Sequence, residues 1–211
     1  MRIVGVYGAA GHGREVMGML PKAADTNYVF IDDDCGLAKV NDYPCLSWVE
    51  FKRTAASAKH VILAIGDGKV RERLSLKCKE AGIGFMPAHA QSAVILSDVR
   101  LGEGSVLCPY SMITCNVTIG RQFHANYFSH VSHDCRIGDF VTLAPGARCN
   151  GNVVIEDHAY IGSSAVLRQG RPGDPLVIGA GAIVGMGAVV TQSVPAGATV
   201  VGNPARLMEP K

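Results

Sequence analysis

VSHDCRIGDFVTLAPGARC, running from Val131 to Cys149, places an apolar residue at every sixth position: Val131, Ile137, Leu143 and Cys149. The step continues in both directions. It passes back through Ala125, Ile119, Ile113, Leu107 and Leu101 to Ile95, and forward through Ile155, Ile161 and Leu167; after one interruption it resumes at Ile178, Val184 and Val190. Glycine often follows the apolar residue, as at Gly102, Gly120, Gly138 and Gly162, and a small residue such as Ala147, Ala159 or Ala165 often stands four places after it. An amphipathic helix needs apolar spacings of three and four, which this stretch does not supply. A fixed six-residue step is the signature of a parallel β-helix, in which three repeats, roughly 18 residues, close one triangular coil. Residues three repeats apart therefore stack. Asp98, Asn116, Asp134 and Asn152 fall in one such column, and all four are residue types that tolerate tight corners. The repeats number about sixteen, a little over five coils, enough stacked apolar surface to need no other core. Arg168 to Pro175 exceeds the repeat and is expected to leave the prism as a loop. The residues after Val190 read as an irregular tail.

Residues 1–90 follow a different pattern. Arg2 to Tyr7 reads as a buried strand, Gly8 to Gly13 as a tight loop, and Arg14 to Leu20 as a helix ended by Pro21. A second strand, Tyr28 to Ile31, runs into Asp32, Asp33 and Asp34. A third, His60 to Ile65, runs into Gly66 to Gly68 and a helix with Val70, Leu74 and Cys78 on one side and Lys69, Arg71 and Arg73 facing solvent. Alternating strand, loop and helix predicts a small parallel α/β, Rossmann-like domain whose ligand lies beyond the strand C-termini. The fold expected is thus a Rossmann-like nucleotide-binding domain over 1–90, an all-β parallel β-helix over 91–195 and a C-terminal tail over 196–211.

The glycine loop offers backbone amides at a helix N-terminus, which suits an anion. Its spacing, Gly8-x-x-Gly11-x-Gly13, is neither the dinucleotide fingerprint nor a Walker loop, because Arg14 and Glu15 stand where Lys and Ser or Thr are required. Asp32 to Asp34 follow at about the interval at which such folds use an acid on ribose hydroxyls. A nucleotide-bearing ligand is the favoured reading, and a glycine turn beside a solvated acidic loop is the alternative.

A formal charge of +2 supplies no large basic field, so nucleic acid and anionic membranes are not expected partners. No signal peptide or apolar run long enough to span a bilayer is evident, and a cytoplasmic protein is expected. Seven cysteines occur without a Cys-x-x-Cys pair or zinc-finger spacing, so reduced, mostly structural thiols and no metal site are expected.

His133 and Asp134 form the candidate chemistry. A nucleophile that attacks must lose a proton, and imidazole is the side chain suited to accept it near neutral pH. A neighbouring carboxylate can fix the tautomer and stabilise the imidazolium. A solvated corner histidine is the plain alternative, and His124, His130 and His158 are read as surface or subunit-interface residues.

Together, Gly8 to Gly13, Ile31 to Asp34, Ala64 to Asp67, the hexapeptide array, Val131 to Cys135 and Gly202 to Arg206 resemble the hexapeptide-repeat acetyltransferases. Within them the chain is similar to the sialic acid O-acetyltransferase and nucleotide-linked 4-amino-sugar N-acetyltransferase family. The resemblance implies acetyl-CoA as cosubstrate, a homotrimer with active sites between subunits, and a nucleotide-sugar acceptor. It assigns His133 as general base and Asp134 as its acidic neighbour. It assigns Gly11, His12, Gly13, Asp32 and Asp33 to the nucleotide end of the acceptor and Asn126 to the acceptor site. Gly151, whose backbone lies against the thioester, and Arg206 are assigned to acetyl-CoA. Thr142 stands where some amino-sugar members carry a second histidine, so a hydrogen bond to the acetyl group is either missing or supplied by its hydroxyl. N-acetylation of a nucleotide-linked 4-amino-4,6-dideoxy sugar for surface-glycan synthesis is the preferred activity. The alternatives are O-acetylation of sialic acid or a related nonulosonic acid, and a non-catalytic trimeric scaffold that binds nucleotide sugars.

Overall fold

The computed structural model describes residues 1–34 and 36–208. Cys35 and residues 209–211 of the expected tail lie outside the described residues. The chain divides into two compact units, Met1–Ala88 and His89–Lys211.

The first unit is an α/β sheet. Its elements are β1 (Arg2–Tyr7), α1 (Gly11–Met19), β2 (Thr26–Ile31), β3 (Lys39–Val40), β4 (Tyr43–Leu46), α2 (Trp48–Arg53), β5 (Lys59–Leu63), α3 (Gly68–Glu80) and β6 (Gly84–Phe85). Strand order is β3-β4-β2-β1-β5-β6, parallel except for the β3–β4 hairpin. Val4, Val6, Phe30, Ile31, Ile62 and Leu63 are wholly buried, which explains the near-continuous apolar runs of these strands.

Two local expectations are corrected. α1 begins at Gly11, not Arg14, with Ala10 as its N-cap, so Gly11, His12 and Gly13 form its first turn. Gly13 is there for close approach: a β-carbon would stand 1.8 Å from the Gly8 carbonyl oxygen. Arg71 does not face solvent. The inner face of α3 is Arg71, Ser75 and Cys78, at helical i, i+4, i+7 spacing. The Arg71 guanidinium is wholly buried and donates to the carbonyls of Ile65 (2.7 Å) and Gly66 (3.1 Å) at the end of the β5 segment. Burial pushes its pKa down to about 9, which leaves it charged at neutral pH.

The second unit is the solenoid, a left-handed parallel β-helix. Its first face stacks His124–Ala125, Thr142–Leu143, Tyr160–Ile161 and Ile183–Val184; its second, His130–Val131, Arg148–Cys149 and Val166–Leu167; its third, Arg136–Ile137, Val153–Ile155 and Leu176–Ile178. The register pairs residue with residue one coil on, as in Val131 with Cys149 and Ile137 with Ile155. The repeat positions from Leu107 to Val190 are at most 4% exposed, and each fully buried Val, Leu or Ile contributes about 1.5–3 kcal/mol over its exposed state.

All three edges of the prism turn through left-handed backbone. Asp98, Asn116, Asp134 and Asn152, with φ of 56, 56, 57 and 56°, form the edge between second and third faces. This is the conformation that Asn and Asp accept at least cost among side-chain-bearing residues, so the polar column is the corner column.

The ends differ from expectation. Ile95 is 41% exposed because its strand pairs on one side only, with Met112–Ile113. A rung precedes it, where the Ala90 amide donates to the Leu107 carbonyl at 2.8 Å. The tail is not irregular: Thr199–Val201 continues the first face in parallel and Arg206–Leu207 turns back antiparallel against it. Among the described residues, no helix is long and apolar enough to cross a membrane.

Candidate active site

The second-face strand His130–Val131 delivers the chain to the corner, where Asp134 takes the left-handed turn. That turn brings the two side chains together: His133 Nδ1 lies 2.8 Å from Asp134 Oδ2. With the Nδ1 hydrogen donated to the carboxylate, the Nε2 lone pair is left for another proton. The second carboxylate oxygen, Oδ1, accepts from Asn116 Nδ2 at 3.2 Å. The bond from His133, then that from Asn116, holds the Asp134 carboxyl below its ordinary pKa. His133 and Asp134 are nearly half exposed, so the pair stands on the prism edge and is open to a ligand.

Gly151 stacks one coil beyond His133. A β-carbon at Gly151 would stand 2.5 Å from His133 Cε1 and 2.6 Å from Nε2. The imidazole thus rests on the Gly151 backbone, and any larger residue displaces it. Behind the pair, the thiols of Cys135 and Cys149 lie 3.9 Å apart in the core. Cys78, Cys115, Cys135 and Cys149 form no disulfide among the described residues.

The other expected residues occupy different places. Asn126 sits just past the first-face strand and donates from Nδ2 to the Leu143 carbonyl (3.1 Å). Thr142 is buried in the next first-face strand. Within one prism, Asn126 and Thr142 therefore belong to the first face and its following edge, and His133 to the edge after the second face. Arg206 lies in the last strand, beside a cavity of about 660 Å³ that Thr191, Pro195 and Leu207 also line. It is about four rungs along the axis from His133, on the order of 20 Å at sheet spacing.

In the first unit, a cleft of about 530 Å³ is lined by Ala9, Ala10, Arg14, Asp32, Lys39 and Asn41, among others. Asp32 lines it while bracing the loop, accepting from the amides of Ala9 (2.9 Å) and Asp34 (3.0 Å). Asp33 accepts from the Trp48 amide (2.7 Å), Tyr7 hydroxyl (3.1 Å) and Lys77 ammonium (3.2 Å). Those bonds take up most of its acceptor capacity within the unit. His12 is paired with Glu15 at 3.6 Å, and burial, opposed by that pairing, lowers its pKa. Gly11 opens the helix, and a β-carbon added there would meet nothing within 4 Å. Arg14, Lys39 and Asn41 were not singled out by sequence reasoning. Their signal was their position on either side of the β1–α1 and β3–β4 turns, which only the strand order brings together. Among the described residues, no group of three or more His, Cys, Asp or Glu side chains is placed to hold a metal.

Residues 4–78 match the family described as the PglD N-terminal domain. A GDP-perosamine N-acetyltransferase of Escherichia coli O157:H7 is 46% identical over 215 residues, spanning 99% of this chain and 97% of that protein. The solved structure of WeeI from Acinetobacter baumannii AYE superposes with a TM-score of 0.96 at 52% identity, covering 99% of this chain and 100% of that one. PerB from Caulobacter crescentus, in complex with CoA and GDP-perosamine, superposes with a TM-score of 0.87 at 29% identity, covering 98% and 97%.

Proposed function

This chain belongs to the acetyl-CoA-dependent N-acetyltransferases of nucleotide-linked 4-amino sugars, and from that membership we propose that its own acceptor is GDP-perosamine, acetylated on the 4-amino group. The observation that carries the reading is the His133–Asp134 pair on the prism edge, joined to a near full-length relative that acts on that sugar. The product is a building block for a surface glycan, and the reduced Cys78, Cys115, Cys135 and Cys149 fit a cytoplasmic enzyme.

In the mechanism, Asp134 fixes the imidazole so that Nε2 faces the amine. As the amine nitrogen bonds to the thioester carbonyl carbon, its proton passes to Nε2. The sulfur leaves with its bonding electron pair and takes a proton. The Gly151 backbone bounds the space in which the carbonyl sits. Since the thioester is already activated, no acyl-enzyme is needed. We assign Arg206, far along the axis from His133, to the nucleotide end of an extended CoA. We assign Gly11, His12, Gly13 and Asp32 to the nucleotide of the acceptor, and Asp33 to holding the segment that carries Asp32.

The active enzyme is a homotrimer with its sites between subunits. The support is that Asn126 lies on a different edge from His133, so one substrate reaches both only where two copies meet. The deciding experiment is CoA release from acetyl-CoA with a panel of acceptors, followed by mass spectrometry of the product. Turnover with GDP-perosamine and an amide product is expected. Preference for a sialic acid with an ester product overturns the reading.

A further inference from the structure

The loop that interrupts the repeat is docked. The Gly170 amide donates to the Gly151 carbonyl (2.9 Å) and the Leu176 amide to the Asn152 carbonyl (3.2 Å), one coil beyond the catalytic pair. Between these anchors the chain closes on itself, with Arg171 and Asp174 exchanging both backbone bonds at 2.9 and 3.0 Å. The loop is therefore a short pinned hairpin, and its position relative to the Asp134 edge is set by the coil beneath it.

This hairpin walls a cleft of about 460 Å³ on the third face. Arg171 lines it from the loop and Arg136 from the strand, with Asn116, Asp134 and Asn152 along the edge. Arg136 and Arg171 make no ion pair among the described residues. The one carboxylate lining the cleft, Asp134, is already engaged by His133 and Asn116. Two guanidinium groups without an ion-pair partner among the described residues thus line a cleft that reaches the catalytic corner at Asp134. Guanidinium forks match phosphate oxygens in a bidentate manner, and holding one on a pinned loop reduces the entropy lost on binding.

We propose that Arg136 and Arg171 form a phosphate-binding subsite that anchors a substrate of the transfer beside His133. The inference rests on the reading above, because both substrates of that reaction carry phosphate: the nucleoside diphosphate of the acceptor and the diphosphate of CoA. The subsite gives the solenoid itself a part in recognising phosphorylated ligands, separate from the cleft of the first unit. Its class of ligand is a diphosphate ester.

The test is calorimetric titration of the full chain with GDP and, separately, with CoA, comparing wild type with Arg136→Gln, Arg171→Gln and the double variant. Both side chains are exposed, so the fold is expected to survive, and the melting temperature verifies this. The dissociation constant for one of the two ligands should rise about tenfold or more with each single change, as expected for loss of one charge-assisted contact. Weakening confined to GDP assigns the subsite to the acceptor, and weakening confined to CoA assigns it to the donor. Arg171→Lys should recover part of the loss. If the double variant binds GDP and CoA as wild type does, the subsite does not exist. Because this readout is binding, it is independent of the acceptor assignment: a wild-type protein that binds GDP but never acetylates GDP-perosamine would refute that assignment alone.

Discussion

Gly151 lies beneath His133 so closely that a β-carbon at this position would stand 2.5 Å from Cε1 and 2.6 Å from Nε2 of the imidazole. The glycine is required by the ring above it. Gly151→Ala should turn the imidazole away from its working position and lower kcat by about 10²-fold, the order expected of a misplaced catalytic group. Melting temperature should fall only slightly, since a half-exposed ring can move outward. An unchanged kcat would show that the ring does not work from this position.

His133→Ala removes the proton acceptor and should cost about 10²- to 10⁴-fold in turnover, read as CoA release with the true acceptor. Asp134→Asn should also lower kcat while leaving the KM for acetyl-CoA nearly unchanged, because the carboxylate acts through the imidazole. Full turnover by His133→Ala would remove it from the mechanism.

Asn116 reaches Asp134 across one coil, at 3.2 Å, and acts as a positioning residue. The hydrogen bonds from His133 and Asn116 place the Asp134 pKa below its ordinary value. With the folded pKa depressed, their stabilisation is complete above the unfolded pKa and is lost as pH falls through the folded one. The catalytic bond should therefore persist through neutral and mildly acidic pH. In Asn116→Ala the Asp134 titration, followed by carboxyl carbon NMR, should move upward toward the ordinary carboxylate range. A titration that stays where it was would deny Asn116 this role.

Mixing separately inactive variants tests the shared site. If Thr142 of one subunit serves the same site as His133 of another, dissociating and reassembling His133→Ala with Thr142→Val should restore activity that neither has alone. Sedimentation should give a trimer for both. Trimers that remain inactive after mixing would place both residues in one subunit's site.

Arg71 satisfies two carbonyls from a buried position. Arg71→Met leaves the acceptors of Ile65 and Gly66 without their donor and should lower stability by about 2–4 kcal/mol in urea unfolding. A loss under about 0.5 kcal/mol, the range of ordinary surface changes, would show that the bonds contribute little.

The architecture was legible from local pattern. A six-residue apolar step admits one folded solution, since each residue of the step must face the axis of a coil three repeats around. The column of Asp98, Asn116, Asp134 and Asn152 followed from the same arithmetic, as did its left-handed corners. His133 and Asp134 could be read because they are neighbours in the chain, and one corner turn is enough to join them. The stacking rule also held the signal for Asn116 and Gly151, each one coil from the pair, although the sequence alone did not say which stacked side chains would bond.

Tertiary structure decided the rest. Whether Arg71 faced solvent could not be read from the alternation of charge along α3, because the helix is placed by its packing against the sheet. Whether Asp33 was free could not be read from its place after β2, because Trp48, Tyr7 and Lys77 reach it from three other elements. Whether the loop at Arg171 bulged freely or was pinned depended on bonds to Gly151 and Asn152. Periodicity determines which residues face the core, because burial acts on each residue through its own position in the coil. The bonds of polar side chains depend on groups distant in sequence, and only the folded chain brings those partners within reach.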